Sequence, residues 1–258
     1  MGNSCQGWCG AWEGGMSAAA RETAPAIHPI SAPGILDVVI EILLEVGPLR
    51  DKLLIDVPAG EGALAAELDR RRSGVRLQCG DICPEQFKFS GTPCQYVDLN
   101  QPLPYASASA DLLTCIEGIE HIENPFHLVR EAYRVLRPGG GLVITTPNVL
   151  SLRSRWQYLL YGAANTFDYM AGTPWHINPV SFIELRFMLE REGFTIARVT
   201  TNAMAKRESW WHRVLATLVR SRGKSWVKGN PKAVAVREVL LSEALLYGDC
   251  VIVHAVKS

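Results

Sequence analysis

The sequence lacks the features of several classes of protein. No stretch reaches the roughly 18 consecutive apolar residues that a membrane-spanning helix needs, and residues 1–30 have neither the basic start nor the apolar centre of a secretory signal. Twenty-six Lys and Arg residues balance 26 Asp and Glu residues, so no net charge attracts the chain to a long nucleic acid or an anionic membrane. Any such partner has to bind a local patch.

The cysteines form no disulfide or zinc pattern. There are seven, an odd number: Cys5, Cys9, Cys79, Cys83, Cys94, Cys115 and Cys250. Two pairs have C-x-x-x-C spacing, but neither has the C-x-x-C spacing or the downstream Cys and His residues of a zinc site. We therefore expect free thiols, which are typical of a cytoplasmic protein.

Residues 1–30 are rich in Gly and Ala with scattered Trp, and we expect a disordered or loosely packed extension there. The opening Met1–Gln6 approaches a myristoylation pattern, but Gln6 stands where Ser or Thr belongs. Met16 is an alternative start of the protein.

Residues 31–258 are predicted to form one α/β domain. Helical spacing begins at Ile35, and apolar strands then alternate with helices up to Thr146. The predicted strands are 52–57, 75–79, 95–97, 111–116, 141–146, 194–200 and 250–256, and the helices are 35–46, 63–72, 125–136 and 179–192. Because parallel neighbours need crossover connections, this order predicts a doubly wound, mostly parallel sheet. Long insertions are predicted at about 149–178 and 202–248.

The strongest motif is Leu53–Gly62, a strand that ends in Asp56 and a glycine turn that opens a helix. Glycines let a ligand approach the backbone, and the acid can accept hydrogen bonds from a cationic or hydroxylated ligand. A second acid, Asp81, follows Gly62 by 19 residues, close to the spacing of a ribose-binding acid. That spacing also suits a nicotinamide dehydrogenase, but Pro58 stands where the first glycine of G-x-G-x-x-G belongs.

Five ordered motifs resemble those of the class I S-adenosylmethionine-dependent methyltransferases, especially the small-molecule and quinone-biosynthesis type. They are Asp56–Gly62, Gly80-Asp81-Ile82, Val97-Asp98-Leu99, Ala110–His121 and Arg134–Asn148. The resemblance implies seven strands with the last antiparallel, and S-adenosylmethionine at the carboxyl ends of the first strands. It assigns cofactor contacts to Asp56, Pro58, Ala59, Gly60, Gly62, Asp81, Ile82, Asp98, Leu99 and Glu117. A strand-end cap is the alternative role for Asp98.

The turn Glu117-x-x-Glu120-His121 is the candidate for the chemistry. If it is helical, the three side chains share one face, and they could hold a divalent cation such as Mg or Mn that lowers the pKa of an acceptor hydroxyl. It resembles the E-x-x-E-H of metal-assisted methyltransferases that act on vicinal hydroxyls, such as ubiquinone O-methyltransferases and small-RNA terminal 2′-O-methyltransferases. That resemblance implies a further ligand downstream, for which His176 is the candidate.

Many metal-free members of the family carry Glu-His at this turn, so a metal-free site is the alternative. In that case His121 is a general base or an orienting group. We predict His121 and His176 as catalytic residues in either case, and Glu117, Glu120, His121 and His176 as ligands if a metal binds.

Two aromatic segments lie in the insertions. Either Trp156, Tyr158, Tyr161 and Tyr169 line an acceptor pocket under a lid, or they cover the sheet. A basic aromatic helix over 210–224 either contacts a membrane or a lipidic acceptor, or packs in a homodimer or in the core. Its residues are Trp210, Trp211, Arg213, Val214, Leu215, Leu218, Arg220, Arg222 and Lys224.

The sequence therefore predicts a cytoplasmic methyltransferase that uses S-adenosylmethionine and acts on an oxygen or nitrogen of a small-molecule acceptor. A nucleic-acid acceptor is disfavoured by the balanced charge. A nicotinamide-dependent oxidoreductase is the enzymatic alternative, against which Pro58 counts. A non-catalytic cofactor-binding protein on the same fold is the other alternative.

Overall fold

The computed structural model describes residues 27–29, 31–167, 176–202, 210–226 and 231–258. Within these residues one sheet has the strand order β3-β2-β1-β4-β5-β7-β6. Its strands are β1 Leu53–Asp56, β2 Arg76–Asp81, β3 Cys94–Tyr96, β4 Ala110–Cys115, β5 Leu136–Pro147, β6 Phe194–Thr200 and β7 Cys250–Lys257. Strand β7 is antiparallel to β5 and β6, and the other pairs are parallel. The predicted seven-stranded α/β sheet with an antiparallel last strand is confirmed.

Helices lie on both faces of the sheet. They are α1 Ile35–Glu45, α2 Ala63–Arg70, α3 Pro125–Val135, α4 Leu152–Tyr161, α5 Phe182–Glu192, α6 Trp210–Trp226, α7 Pro231–Leu240 and α8 Glu243–Tyr247, with short 3-10 turns at Pro84–Gln86 and Ile119–His121. Successive strand residues point to opposite faces. Leu54 thus joins the apolar cluster under α1 and α2, while Ile55 joins the larger cluster under α3 and α5.

Most predicted boundaries differ from the structure by no more than two residues, and two differ by more for local reasons. Strand β5 begins at Leu136, five residues before the predicted Gly141, because Leu136 already pairs with Ala110 before a register shift, and Gly139 within the irregular stretch has φ +77°. Gly140 permits this, since a Cβ there would lie 2.8 Å from the carbonyl oxygen of Arg137. Helix α5 begins after the predicted Pro179, because the Ser181 hydroxyl accepts a hydrogen bond from the Glu184 N–H and caps the helix at that point.

The end of β5 is tied to the C-terminal part of the chain by Asn148, whose side chain is almost fully buried. Its amide donates to the carbonyl oxygens of Ala244 (3.3 Å), Leu245 (3.1 Å) and Gly248 (2.9 Å). Its side-chain oxygen accepts from the Leu150 N–H at 3.0 Å. One buried amide therefore holds α8 and the start of β7 against the strand that precedes the first insertion.

Several predictions concern residues outside the described part of the chain. They include the extension over residues 1–26 and 30, the alternative start at Met16, and Tyr169. The five described cysteines, Cys79, Cys83, Cys94, Cys115 and Cys250, are free thiols as expected. Within the described ranges, no helix is both long enough and apolar enough to cross a membrane. The second insertion contains α6, α7 and α8.

Candidate active site

A cavity of about 1230 Å³ opens at the carboxyl ends of β1, β2 and β4. Ligands bind at this edge in open α/β sheets, and the volume exceeds the roughly 300–1000 Å³ typical of a pocket for one small molecule. The predicted cofactor contacts that line it are Asp56, Pro58, Ala59, Gly60, Asp81, Ile82, Asp98, Leu99 and Glu117. His121 and His176 line it as well. Of the predicted cofactor set, Gly62 alone lies behind the wall.

Two glycines in the turn after β1, Gly60 and Gly62, have left-handed backbone conformations. Gly60 has φ +53° and Gly62 has φ +90°, a region that residues with a Cβ rarely adopt. A Cβ at Gly62 would also lie 2.8 Å from the Phe87 ring and 2.9 Å from the Phe89 Cβ. Gly62 therefore supports the turn from behind instead of contacting a ligand.

The Asp81 carboxylate is fixed at the end of β2 by two loops. Its Oδ2 accepts from the Gly60 N–H at 2.8 Å, and its Oδ1 accepts from the Cys83 N–H at 2.9 Å. Since each carboxylate oxygen can accept a further hydrogen bond, Asp81 retains the capacity to accept from ribose hydroxyls. The residues at this edge therefore fit S-adenosylmethionine.

Asp98 forms the strand-end cap considered for it and also lines the cavity, so its contact with a cofactor stays a prediction. Its Oδ1 accepts from the Asn100 N–H at 2.8 Å, which caps the chain after β3. The same residue lines the cavity beside Leu99. A capped acid next to an apolar wall is suited to the polar edge and flat face of a nucleobase.

Asp56 is almost completely buried at the base of the cavity. Burial raises its pKa to about 7, the nearby Asp81 charge adds to the rise, and a hydrogen bond from the Thr114 hydroxyl at 2.7 Å opposes it. A positively charged ligand would return such an acid to its charged form. Asp56 therefore favours a cationic ligand at this end of the cavity.

Glu117 does not join the other residues of its motif. It has φ +47°, and only Ile119–His121 form a 3-10 turn, so the expectation of one shared helical face is wrong. Its carboxylate accepts from the Ala32 N–H at 2.8 Å and contacts the Cys250 thiol at 3.4 Å. Glu117 consequently lies outside the cluster that the predicted metal ligands form.

The other three residues of the predicted metal set do come together. Candidate ligand atoms of Glu120, His121 and His176 lie within 4.8 Å of one another, and the two imidazole rings are 4.8 Å apart, edge to face. The N–H groups of Ile177 and Asn178 donate to the Glu120 carbonyl at 2.9 and 3.0 Å. The Asn178 side chain donates to the carbonyl of Ile122. These backbone bonds hold His176 beside a turn 55 residues earlier in the chain.

Glu120 is fully buried behind the two imidazoles. Its carboxyl oxygens have no partner with full hydrogen-bond geometry within the described ranges. Burial, with a contribution from the Glu117 charge, raises its pKa to about 8, and the nearby Thr146 hydroxyl opposes the rise. One carboxyl and two imidazoles are donors that divalent ions accept. Two ligand atoms of one ion are at most about 4.4 Å apart. The candidate ligand atoms of the three residues, which lie within 4.8 Å of one another, would therefore have to move closer together.

The segment before α1 forms a wall of the cavity that the sequence did not predict. The His28 N–H donates to the Glu61 carboxylate at 2.9 Å, in addition to the bond from Ala32 to Glu117. His28, Pro29, Ser31, Ala32 and Leu36 line the cavity, as do Arg153 and Asp249. Because the segment is held through backbone N–H groups, no side-chain motif could have indicated it.

The aromatic residues of the first insertion lie elsewhere. Trp156, Tyr158 and Tyr161 are 46%, 62% and 77% exposed and are absent from the cavity wall. Neither expectation for them, acceptor pocket or cover of the sheet, agrees with the structure. In α6, Val214 and Leu218 are exposed and Leu215 is half-buried. The side chains of Trp210, Trp211, Arg213 and Lys224 lie outside the described part.

Comparison with known proteins adds the following similarities. Residues 55–144 match a family model described as a methyltransferase domain. A Mycolicibacterium smegmatis protein named probable S-adenosylmethionine-dependent methyltransferase is 28% identical over 148 residues, 57% of this chain and 52% of that protein. The ubiquinone biosynthesis O-methyltransferase of Pseudomonas savastanoi pv. phaseolicola is 31% identical over 108 residues, 42% of this chain and 40% of that protein. The chain thus spans about half, or less, of the length of these relatives.

The fold has counterparts among solved structures. The crystal structure of a SAM-dependent methyltransferase from Archaeoglobus fulgidus matches with a TM-score of 0.57 and 17% identity, over 86% of this chain and 94% of that one. At that identity the similarity concerns the fold alone.

Proposed function

The chain carries a class I S-adenosylmethionine-dependent methyltransferase domain, and on this premise we propose that the protein transfers a methyl group from S-adenosylmethionine to an oxygen or nitrogen of a small molecule. The observation that carries the proposal is Asp81, which lines the cavity while the N–H groups of Gly60 and Cys83 hold its carboxylate. A fixed acid beside a glycine turn is the arrangement that a ribose hydroxyl pair requires.

We assign the other cofactor contacts by their place on the same wall. Asp98 and Leu99 would contact the adenine, and the turn of Pro58, Ala59 and Gly60 would pass beneath the sugar and the amino-acid part. Asp56 is the acid suited to the positive charge of the cofactor, because burial has raised its pKa to about 7. Glu117 lines the same cavity and is held by the Ala32 N–H of the segment before α1.

Bound S-adenosylmethionine would supply an electrophilic methyl group on a sulfonium, which leaves the protein to hold the acceptor in line and to receive its proton. His176 and His121 are suited to the proton because both line the cavity. His176 Nδ1 lies 2.9 Å from the Thr166 carbonyl, so a proton on Nδ1 leaves Nε2 free to accept one. A positive charge formed on either imidazole would favour the ionised form of the Glu120 carboxyl, whose candidate ligand atom lies within 4.8 Å, and the resulting carboxylate would stabilise that charge.

A small acceptor agrees with the site better than a polymer. The cavity is walled by the segment before α1 and by Arg153 and Asp249, and the relative named as a ubiquinone biosynthesis O-methyltransferase favours a hydroxyl acceptor. The choice between oxygen and nitrogen, and the cytoplasmic location, stay predictions.

A metal-assisted reaction is the second candidate, and the convergence of Glu120, His121 and His176 is the observation in its favour. An ion there would bind the acceptor hydroxyl and lower its pKa. The raised pKa of Glu120 opposes it, because burial favours the protonated carboxyl and an ion would have to displace that proton.

Titration calorimetry with S-adenosylmethionine and, separately, with NAD tests the cofactor. We expect S-adenosylmethionine alone to bind, and binding of NAD alone would overturn the proposal. Radiolabelled methyl transfer to a panel of phenols, catechols and amines then tests the reaction. If the cofactor binds but no label is transferred to any small-molecule fraction, the non-catalytic alternative is favoured.

Metal analysis of protein purified without chelator separates the two mechanisms. In the metal-free mechanism, turnover survives chelation, and His176→Ala lowers turnover by about 10²-fold or more while S-adenosylmethionine binds as before. Stoichiometric bound metal, together with turnover that chelation abolishes and added metal restores, would instead establish the metal-assisted reaction.

A further inference from the structure

The C-terminal half of α4 carries apolar side chains that point into solvent. Trp156, Tyr158, Leu159, Leu160 and Tyr161 are between 46% and 77% exposed, and on α6 Val214 and Leu218 are 48% and 55% exposed. We call these seven residues the apolar tip. Folded domains rarely leave so many large apolar groups together in water unless something binds them.

The two helices of the apolar tip are adjacent. Trp156 of α4 and Val214, Leu215 and Leu218 of α6 line a shared apolar groove of about 390 Å³. Tyr158, Leu159, Leu160 and Tyr161 are consecutive, so apolar groups surround the last turn of α4 on all sides. Such a turn can enter a soft apolar medium more readily than it can match the shape of a rigid partner.

The charge of the surrounding sequence is one-sided. Helices α4 and α6 contain six basic residues and no acid: Arg153, Arg155, Arg213, Arg220, Arg222 and Lys224. The whole chain, by contrast, has 26 basic and 26 acidic residues. Glu243 of α8 lies 3.9 Å from Arg220 and offsets part of that charge. The sequence of the two helices keeps a positive excess. Of the basic side chains that the structure describes there, Arg222 is exposed, whereas Arg155 donates to the Leu150 carbonyl at 2.8 Å.

From this combination we propose that the apolar tip binds the surface of an anionic phospholipid bilayer. Trp and Tyr favour the interface between lipid headgroups and acyl chains, and Arg and Lys are attracted to anionic headgroups. A second copy of the chain is a poorer occupant, because a two-fold interface would place the same basic helices against each other. Arg153, one turn before Trp156, lines the cavity, so a bound bilayer would lie near the cavity.

Co-sedimentation of the full chain with vesicles tests the proposal. We expect binding to phosphatidylcholine vesicles that contain about one third phosphatidylglycerol, weaker binding to pure phosphatidylcholine, and release at about 0.5 M NaCl. The double variant Leu159→Ser/Tyr161→Ser should bind the anionic vesicles at least about tenfold more weakly. Ile183→Ser removes a side chain that is 51% exposed on α5, away from the tip, and should bind like the unsubstituted protein.

Three outcomes would overturn the proposal. They are no binding to anionic vesicles, equal binding by the double variant, and a dimer in sedimentation velocity that the double variant abolishes. The last would assign the apolar tip to contact between two copies. Calorimetry with S-adenosylmethionine should give the same affinity for all three proteins, so a failure of membrane binding is distinguishable from a failure of the proposed methyl transfer.

Discussion

The ring of Pro58 occupies the space that a side chain at position 118 would need. A Cβ at Gly118 would lie 2.5 Å from Pro58 Cδ and 3.1 Å from the Cys115 sulfur. The loops after β1 and β4, which both line the cavity, are therefore packed on each other through a proline and a glycine. Pro58, which departs from the glycine-rich pattern, therefore requires a residue without a side chain at position 118 in the neighbouring loop.

Gly118→Ala should displace the Pro58 ring and loosen the cofactor loop. Overpacking of this kind destabilises a protein by about 1–3 kcal/mol, and we expect a lower melting temperature and weaker S-adenosylmethionine binding in calorimetry. Adding Pro58→Gly to this variant removes the ring and should recover much of both losses. Full affinity in Gly118→Ala alone would show that the two loops do not depend on this contact.

Asp81→Asn should weaken S-adenosylmethionine binding by about tenfold or more. The substitution keeps the size of the side chain but removes the charge that strengthens the bond from Gly60 and any bond from the ribose, and hydrogen bonds to charged groups contribute about 1.5–3 kcal/mol. Calorimetry measures the change. Asp69→Asn, on the exposed side of α2, is the matched control and should bind like the unsubstituted protein.

Asn178 should act on turnover without contacting a ligand. Asn178→Ala removes the side-chain bond to the Ile122 carbonyl that helps to hold His176 in place, so we expect turnover to fall by about tenfold while cofactor affinity is unchanged. Ser181→Ala removes the nearby cap of α5 and should lower stability by about 1 kcal/mol with turnover retained. Equal losses of turnover in the two variants would indicate a general loss of structure.

Asp56 should make the stability of the ligand-free protein fall as pH rises. Its pKa is raised from 3.8 to about 7 in the folded protein, so the folded state favours the protonated form. The free energy of unfolding therefore falls as the pH rises from about 3.8 to about 7. Relative to the unsubstituted protein, Asp56→Asn should gain about 2 kcal/mol in free energy of unfolding between about pH 5 and pH 8. Urea denaturation at several pH values checks this, and parallel pH curves would contradict it.

The sequence predicted that Asp56 and Asp81 would line the same edge of the sheet, and the structure places both on one cavity there. Asp56 and Asp81 each end a strand, and the carboxyl ends of parallel strands meet at one edge. The apolar alternation placed every strand of the sheet, with errors confined to boundaries. His176 was assigned to the site only through a family resemblance, since nothing in its own segment indicates which turn it contacts.

Other features depend on geometry that no residue pattern reveals. The left-handed backbone at Glu117 turns its side chain away from His121, and a non-glycine residue in that region cannot be foreseen from its type. The hydrogen bonds from His28 and Ala32 are donated by backbone N–H groups. Any residue except proline can donate them, so the sequence does not indicate them. The exposure of α4 could not be predicted either. An apolar run is normally expected to be buried, and the sequence does not show which surfaces pack against it.

The position of β7 divides the sheet into two halves with different freedom to diversify. The loops that carry the predicted cofactor contacts follow β1, β2, β3 and β4, whereas both insertions follow strands of the β5-β7-β6 half. Asn148 stabilises the β5-β7-β6 half through hydrogen bonds between the start of the first insertion and the end of the second. On the proposed function, the insertions of this half can change in sequence without disturbing the loops that carry the predicted cofactor contacts, which would give new acceptors to one methyl donor.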